Sequence, residues 1–424
     1  MKLMLMSDSP SMNTGYGQTA MYMLNELDML GWEVASIGFG HAGAPVRFEG
    51  LEIWPGASQF MLAKSLAKFK PDILLHMRDN WVFIPKYNQS PYSLIKMAHD
   101  VKAHMVNFTP VQATPLPPEF VESINTQADF TYITNQTGVD SIIKQGEEMK
   151  MDLKNKVGLM YNGIDFGKFR TLKVQRNTSN MPKDKKMVTF VGANMDYRKQ
   201  IPVSMLAFRK YLSPGWTIEN PTEQVRDDAF LYLHTNPFGG FDIPLFINLL
   251  KLEKHVFLKS SEGIKLATWD LTPQEMAVMF NLSDAYLTCT SAEGFNQPLL
   301  EAIACGLPAA VTDTPIHREL FTQFGDRVQF IKSHASLPTV WAFEHNCDPD
   351  DGAEKLAKAL DIGKKEMNMN EFPQFSYRRI MKKFAEEAER LVEIPFPDPE
   401  EEKKKLAEVE KKAAEAMAAV RSQA

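Results

Sequence analysis

The 424-residue chain contains only three cysteines, Cys289, Cys305 and Cys347, an odd number with no close pair. That excludes a disulfide framework and points to a reducing compartment. The nine histidines are scattered without an HxxxH-type spacing, and "CDPDDG" at 347–352 is a lone Asp-rich turn, so no metal site is expected. Long apolar runs are also missing. No stretch approaches the length of a membrane span, and the opening "MKLMLMSDSP" is too short for a secretory signal, so the expected location is cytoplasmic. A net charge of −6 with a pI near 5.9 gives no global attraction for nucleic acid. Positive charge is concentrated only locally, from Lys144 to Lys186. That stretch fits a solvated helix and linker, or a face for nucleic acid or an anionic membrane.

What the chain does have is an ordinary globular composition, 44% hydrophobic and 24% charged, with length for two or three domains. "KLMLMS" followed by polar "DSPSMNTGYGQ" and amphipathic "TAMYMLNELDMLGWEVASIGF" predicts strand, loop, helix and strand. The alternation continues through "PDILLHM", "AHMVNFTP", "DFTYITN" and "KVGLMYNGID", which predicts a doubly wound domain over residues 1–175. After a polar, basic break the pattern restarts with "KMVTFVGANMDYRKQ" and ends at "VQFIKS", a second α/β domain over 176–375. Open parallel sheets bind ligands at the C-terminal ends of their strands, so the expected site is a cleft between the two domains. "SYRRIMKKFAEEAERLVEI" predicts a further helix within 376–396, and the mixed-charge tail 397–424 reads as a solvated helix or a weak self-association segment. The 24 methionines suit core filling.

The chemistry concentrates in "TSAEGFNQPLLEAIACGLPAAVTD" at 290–313. Glu293 lies in a Gly-containing loop and Glu301 inside the following helix, which Pro298 suits at its opening turn. Leu299, Leu300, Ile303 and Ala304 supply a buried face. Residues Glu293 to Asn296 should therefore abut a helix N-terminus, whose unpaired N–H groups and partial positive charge suit a phosphate-bearing ligand. Two solvated glutamates complementing the helix dipole are the plainer alternative. In "VGANMDYRKQ", Arg198 and Lys199 precede a helix and suit either a diphosphate or an ordinary surface loop. His234 ends a predicted strand, as a cleft residue or a buried one. Asp79, Asn80 and Trp81 follow "PDILLHMR" as acceptor-side candidates by position, with a core role the alternative for Trp81.

The run "SAEGFNQPLLEAIACGLPAAVTD" resembles the E-x7-E signature of retaining, nucleotide-sugar-dependent glycosyltransferases of family 4. Further stretches fall in matching order over about residues 1–390: "VNFTPVQATPLPPEF", "ADFTYITNQTGVDSIIKQG", "YNGIDFGKF", "RK" after "VGAN", and "LTPQEMAVMFNLSDAYLTCTS". The resemblance implies the GT-B fold, two facing Rossmann-like doubly wound domains, here with a C-terminal helix and charged helical tail. It implies a nucleoside-diphosphate sugar donor such as a UDP- or GDP-sugar, no other cofactor and no metal. The acceptor would be a glycan, a lipid or a modified nucleic acid.

By the same resemblance, Glu293 faces the donor sugar hydroxyls, the amides of Gly294, Phe295 and Asn296 face sugar and phosphate, and Glu301 takes the ribose. Arg198 and Lys199 hold the diphosphate. Thr14, Gly15 and Gly17 form the glycine-bearing loop after the first strand, where Gly permits close backbone approach to the donor. The chain departs from the pattern twice. Ala193 and Asn194 stand where many members carry an Arg, so Arg198 must supply that charge. "VQATP" stands where many carry a His, and Gln112 falls in that vicinity on the acceptor side. A non-catalytic protein of the same fold that binds a sugar nucleotide or a polymer is the alternative.

Overall fold

Five of the six residues of "KLMLMS" are buried, and Lys2–Ser7 forms β1, covered on both faces as a central parallel strand must be. The computed structural model describes residues 1–39, 41–84, 94–176, 182–220, 226–258, 271–336 and 343–396. Contacts divide the chain into two units, Met1–Gly163 together with the chain from Tyr377 onward, and Ile164–Ser376.

In the first unit β1 is followed by β2 (Glu33–Gly38), β3 (Val46–Phe48), β4 (Leu51–Pro55), β5 (Ile73–Met77), β6 (His104–Thr109), β7 (Phe130–Ile133) and β8 (Val157–Leu159). They form one sheet in the order β3-β4-β2-β1-β5-β6-β7-β8, parallel except for the edge pair β3–β4. The chain adds strands first to one side of β1 and then to the other. The C-terminal ends of β1 and β5 therefore flank the point where winding reverses, the usual place for a ligand crevice.

Helix Gly15–Met29 buries Leu24 and Leu27 in the same core as Leu3 and Leu5. Helix Tyr377–Leu391, from the far end of the sequence, joins that core through Met381 and Phe384. Its Tyr377 ring stacks 5.1 Å from Tyr22, and Tyr132 donates a 2.7 Å hydrogen bond to Glu387. This helix completes the first unit, where the sequence reading had set it apart.

The second unit holds β9 (Lys186–Val191), β10 (Ala229–His234), β11 (Val256–Leu258), β12 (Ala285–Thr288), β13 (Ala309–Thr312) and β14 (Val328–Ile331). Their order is β11-β10-β9-β12-β13-β14, all pairs parallel, so winding reverses between β9 and β12. Phe190, Leu231, Leu287 and Ala310 pack with Met205 and Phe208 of helix Ile201–Leu212. Residues 164–175, which the strand alternation assigns to the first domain, cluster with this unit. Asn281 explains why: it accepts from the Leu172 N–H at 2.7 Å and donates to the Arg170 carbonyl at 2.9 Å.

Several charges of the basic stretch are satisfied locally. Lys154 pairs with Glu147 at 2.8 Å, Lys168 with Asp165 at 3.2 Å, and Arg176 with Asp284. All three cysteines are free and buried. Among the described residues no helix is long and apolar enough to cross a membrane. The tail 397–424, expected to be helical, lies outside the described residues.

Candidate functional site

The loops that leave β9 and β12 meet because those strands are neighbours. After β9 the chain passes through a 3₁₀ turn, Tyr197–Lys199, into helix Ile201–Leu212. After β12 it runs from Cys289 to Asn296 and enters helix Gln297–Ala304. Arg198 Nη1 donates to Glu293 Oε2 at 2.8 Å and to the Ala292 carbonyl at 2.8 Å, while Lys199 Nζ lies 2.5 Å from Glu293 Oε1. The Ser291 N–H donates to the Arg198 carbonyl at 2.8 Å, so the two loops are also joined through backbone. Glu293 is 7% exposed. Burial alone would push its carboxyl up, but Lys199 and then Arg198 outweigh that and hold it at about 2. Burial pulls the Lys199 ammonium below its ordinary value, opposed by Glu293 and reinforced by Arg198. The result is two cations clamped by one carboxylate.

The following residues form a buried bend. Phe295 is a core side chain, its ring 5.9 Å from Phe375 at 76°, so that side chain is committed to packing. Asn296 has φ +66° and ψ +60° and precedes the helix without capping it through its side chain. Its Nδ2 instead donates to His317 Nε2 at 3.0 Å, and His317 Nδ1 donates to the Thr312 carbonyl at 2.8 Å. Burial lowers the His317 pKa, which agrees with a neutral ring protonated at Nδ1. His317 carries no signal in the sequence, since "TDTPIHREL" marks only a helix start. Glu301 sits one turn inside helix Gln297–Ala304. Burial raises its carboxyl to about 8 against a hydrogen bond from Gln297.

Asn194 has a structural task. Its Nδ2 donates to the Asn236 and Phe241 carbonyls at 3.0 and 2.7 Å, and its Oδ1 accepts from the Phe241 N–H at 2.9 Å. It thus ties the loop after β9 to the loop after β10. A Cβ at Gly239 would fall 1.7 Å from the Asn194 carbonyl oxygen, so only glycine fits there. His234, at the end of β10, is buried beside Tyr232.

At the winding reversal of the first unit, Thr14 caps helix Gly15–Met29 by accepting from the Gly17 N–H at 3.0 Å, and donates to Asp8 at 2.8 Å. Asp8 also pairs with Arg78, whose guanidinium lies 4.3 Å over the Phe39 ring. Gly15 and Gly17, expected in the loop, lie instead in the first turn of helix Gly15–Met29, and they differ from each other. A Cβ on Gly15 meets nothing within 4 Å, whereas one on Gly17 would lie 2.5 Å from the Met12 carbonyl and 2.7 Å from that of Ser9. Gly17 is therefore required where the helix start packs against the preceding loop. Gln112 Nε2 donates to Asp79 at 3.1 Å, bringing the two acceptor-side candidates together. Asn80 is buried and accepts from Asn107 at 3.1 Å, and Asn107 in turn accepts from His76 Nδ1 at 2.8 Å. Trp81 is exposed rather than core. Among the described residues no group of three or more His, Cys, Asp or Glu is placed to hold a metal ion.

Residues 266–373 match the family described as Glycosyl transferases group 1, a segment that contains both Glu293 and Glu301. No curated protein matches the chain. Among solved structures the chain is similar to sucrose-phosphate synthase from Thermosynechococcus elongatus, with 13% identity, a TM-score of 0.65, and coverage of 92% of this chain and 99% of the other. It is also similar to the pneumococcal O-GlcNAc transferase GtfA in complex with UDP and GlcNAc, with 11% identity, a TM-score of 0.57, and coverage of 92% and 99%. A third is a trehalose-6-phosphate structure from E. coli bound with UDP-2-fluoro glucose, with 12% identity, a TM-score of 0.55, and coverage of 93% and 100%. At such identities the likeness speaks for the fold alone. That fold is GT-B, with two Rossmann-like units.

Proposed function

We propose that the protein moves a sugar from a nucleoside-diphosphate sugar to an acceptor hydroxyl, with retention of configuration at the anomeric carbon. The observation that carries this reading is the Arg198–Glu293–Lys199 cluster, set where winding reverses in the second unit and just before a helix N-terminus. The family match and the fold support glycosyl transfer in general, and the cluster supports the finer statement.

In this reading Arg198 and Lys199 exchange their bonds to Glu293 for bonds to the donor diphosphate, and Glu293 turns to the sugar hydroxyls. The amides of Gly294, Phe295 and Asn296 face the phosphate and sugar, and Glu301 accepts from the ribose. Thr14 and Gly15 of the first unit approach the donor, and Asp79 and Gln112 take the acceptor. The bond from the anomeric carbon to the diphosphate oxygen breaks as the acceptor oxygen bonds to the same face. The acceptor proton passes to the departing phosphate oxygen, so no side-chain nucleophile is needed. Charge grows on the leaving diphosphate, and the two cations, by then bound to it, stabilise it.

The test is thermal stabilisation by a panel of UDP, GDP, ADP and their sugars. The best donor is then incubated with glycan, lipid and nucleic-acid acceptors, and the product's anomeric configuration is read by NMR. Stabilisation with no release of nucleoside diphosphate would instead indicate a binding protein.

A further inference from the structure

We infer that His317 is a positioning residue that holds Asn296, and through it the amides of 294–297, in the shape that receives the donor diphosphate. The inference rests on the donor site proposed above. An L-residue at positive φ is held against its own preference, least severely for Asn, Asp and Gly. Asn296 is such a residue, at φ +66°, on the bend between Glu293 and helix Gln297–Ala304.

The Leu299 and Leu300 N–H groups donate to the Asn296 carbonyl at 3.1 and 3.3 Å, but the helix does not hold its side chain, which makes no capping bond. His317 does, through the 3.0 Å contact between its Nε2 and Asn296 Nδ2. His317 is itself fixed twice over. Its Nδ1 donates to the Thr312 carbonyl at 2.8 Å, and its backbone N–H donates to Thr314 Oγ1 at 3.0 Å. The ring is fully buried and Asn296 nearly so, at 0% and 6% exposure, so water does not compete for either bond. Only the tautomer protonated at Nδ1 can serve both partners, giving a hydrogen to the carbonyl and a lone pair to the amide. The end of β13 thereby sets the backbone beside Glu293, on the neighbouring crossover. His317 lies near enough to Glu293 and Lys199 to feel both charges.

The test is a cycle of four proteins: parent, His317→Ala, Asn296→Gly and the double variant. Glycine tolerates positive φ without a tether, so the cycle isolates the tether. Calorimetry measures the affinity for whichever of UDP, GDP and ADP the parent binds best. Mass-spectrometric hydrogen exchange is followed over residues 293–299. His317→Ala is expected to weaken nucleotide binding about tenfold, the scale of one lost buried hydrogen bond, and to speed exchange in that segment. In the Asn296→Gly background the same change should add nothing. Equal penalties in both backgrounds, or unchanged exchange in His317→Ala, would overturn the inference. Should His317→Ala fail to fold, Asn296→Asp keeps the positive φ accessible but presents only acceptors to Nε2. It should show the same faster exchange, and parental exchange would sink the idea. If the parent binds none of the three nucleotides the donor-site reading fails, while the exchange data still decide whether the tether orders the bend.

Discussion

Lys199 Nζ lies 2.5 Å from Glu293 Oε1, with side chains 14% and 9% exposed, and the other oxygen of the same carboxylate is bound to Arg198. Removing the carboxylate leaves two cations without their shared partner. Glu293→Gln should lower the unfolding free energy of the second unit by about 3 kcal/mol in urea titrations, the scale of a broken buried pair. The pH dependence has a definite sign. With the folded carboxyl at about 2 against an ordinary 4.5, its contribution is complete above pH 4.5 and is lost as the pH falls toward 2. Parent and variant stabilities should converge across that window.

Glu301 should behave in the opposite sense. Its folded value of about 8 lies above the ordinary 4.5, so the parent loses stability as the pH rises from 4.5 to 8. Glu301→Gln should remove that decline. If the carboxylate accepts from ribose hydroxyls, nucleotide binding favours its charged form and releases protons near pH 7. Calorimetry in buffers of different ionisation enthalpy should detect the release in the parent and not in Glu301→Gln.

The cations and the second glutamate should separate in kinetics. Lys199→Met should cut kcat about 100-fold with a smaller change in KM, because its main service falls on the leaving diphosphate. Glu301→Ala should chiefly weaken donor binding, by about tenfold. Parental rates and affinities in both variants would overturn the site assignment.

Gly15 and Gly17 make a steric contrast. Gly17→Ala should cost the first unit about 2 kcal/mol, because its methyl would press on two loop carbonyls that cannot yield cheaply. Gly15→Ala has open space and should leave thermal stability within about 0.5 kcal/mol. A fall in nucleotide affinity confined to Gly15→Ala would mark the place where a ligand comes close to the backbone.

The strands were legible because runs such as "KLMLMS" and "AFLYLH" are apolar on both faces, which solvated loops and amphipathic helices are not. Their order in the sheet was not. Arg198 and Glu293 are 95 residues apart, and they meet only because β12 pairs with β9, which no local spacing encodes. Helix Tyr377–Leu391 was legible as an amphipathic helix, but its pattern does not name the core that receives it. The boundary near residue 164 was hidden because Asn281, more than a hundred residues on, decides where 170–172 belong. His317 was invisible because its role is one ring contact to an amide 21 residues away.

The first unit is assembled from both ends of the polypeptide, since Met381 and Phe384 fill a core otherwise built before Gly163. During synthesis Ile164–Ser376 is complete before helix Tyr377–Leu391 is made, so the second unit should be able to condense while the first still lacks a helix of its core. Chains that stop near residue 376 should therefore yield one sound half and one sticky half, recoverable by supplying the missing helix as a peptide.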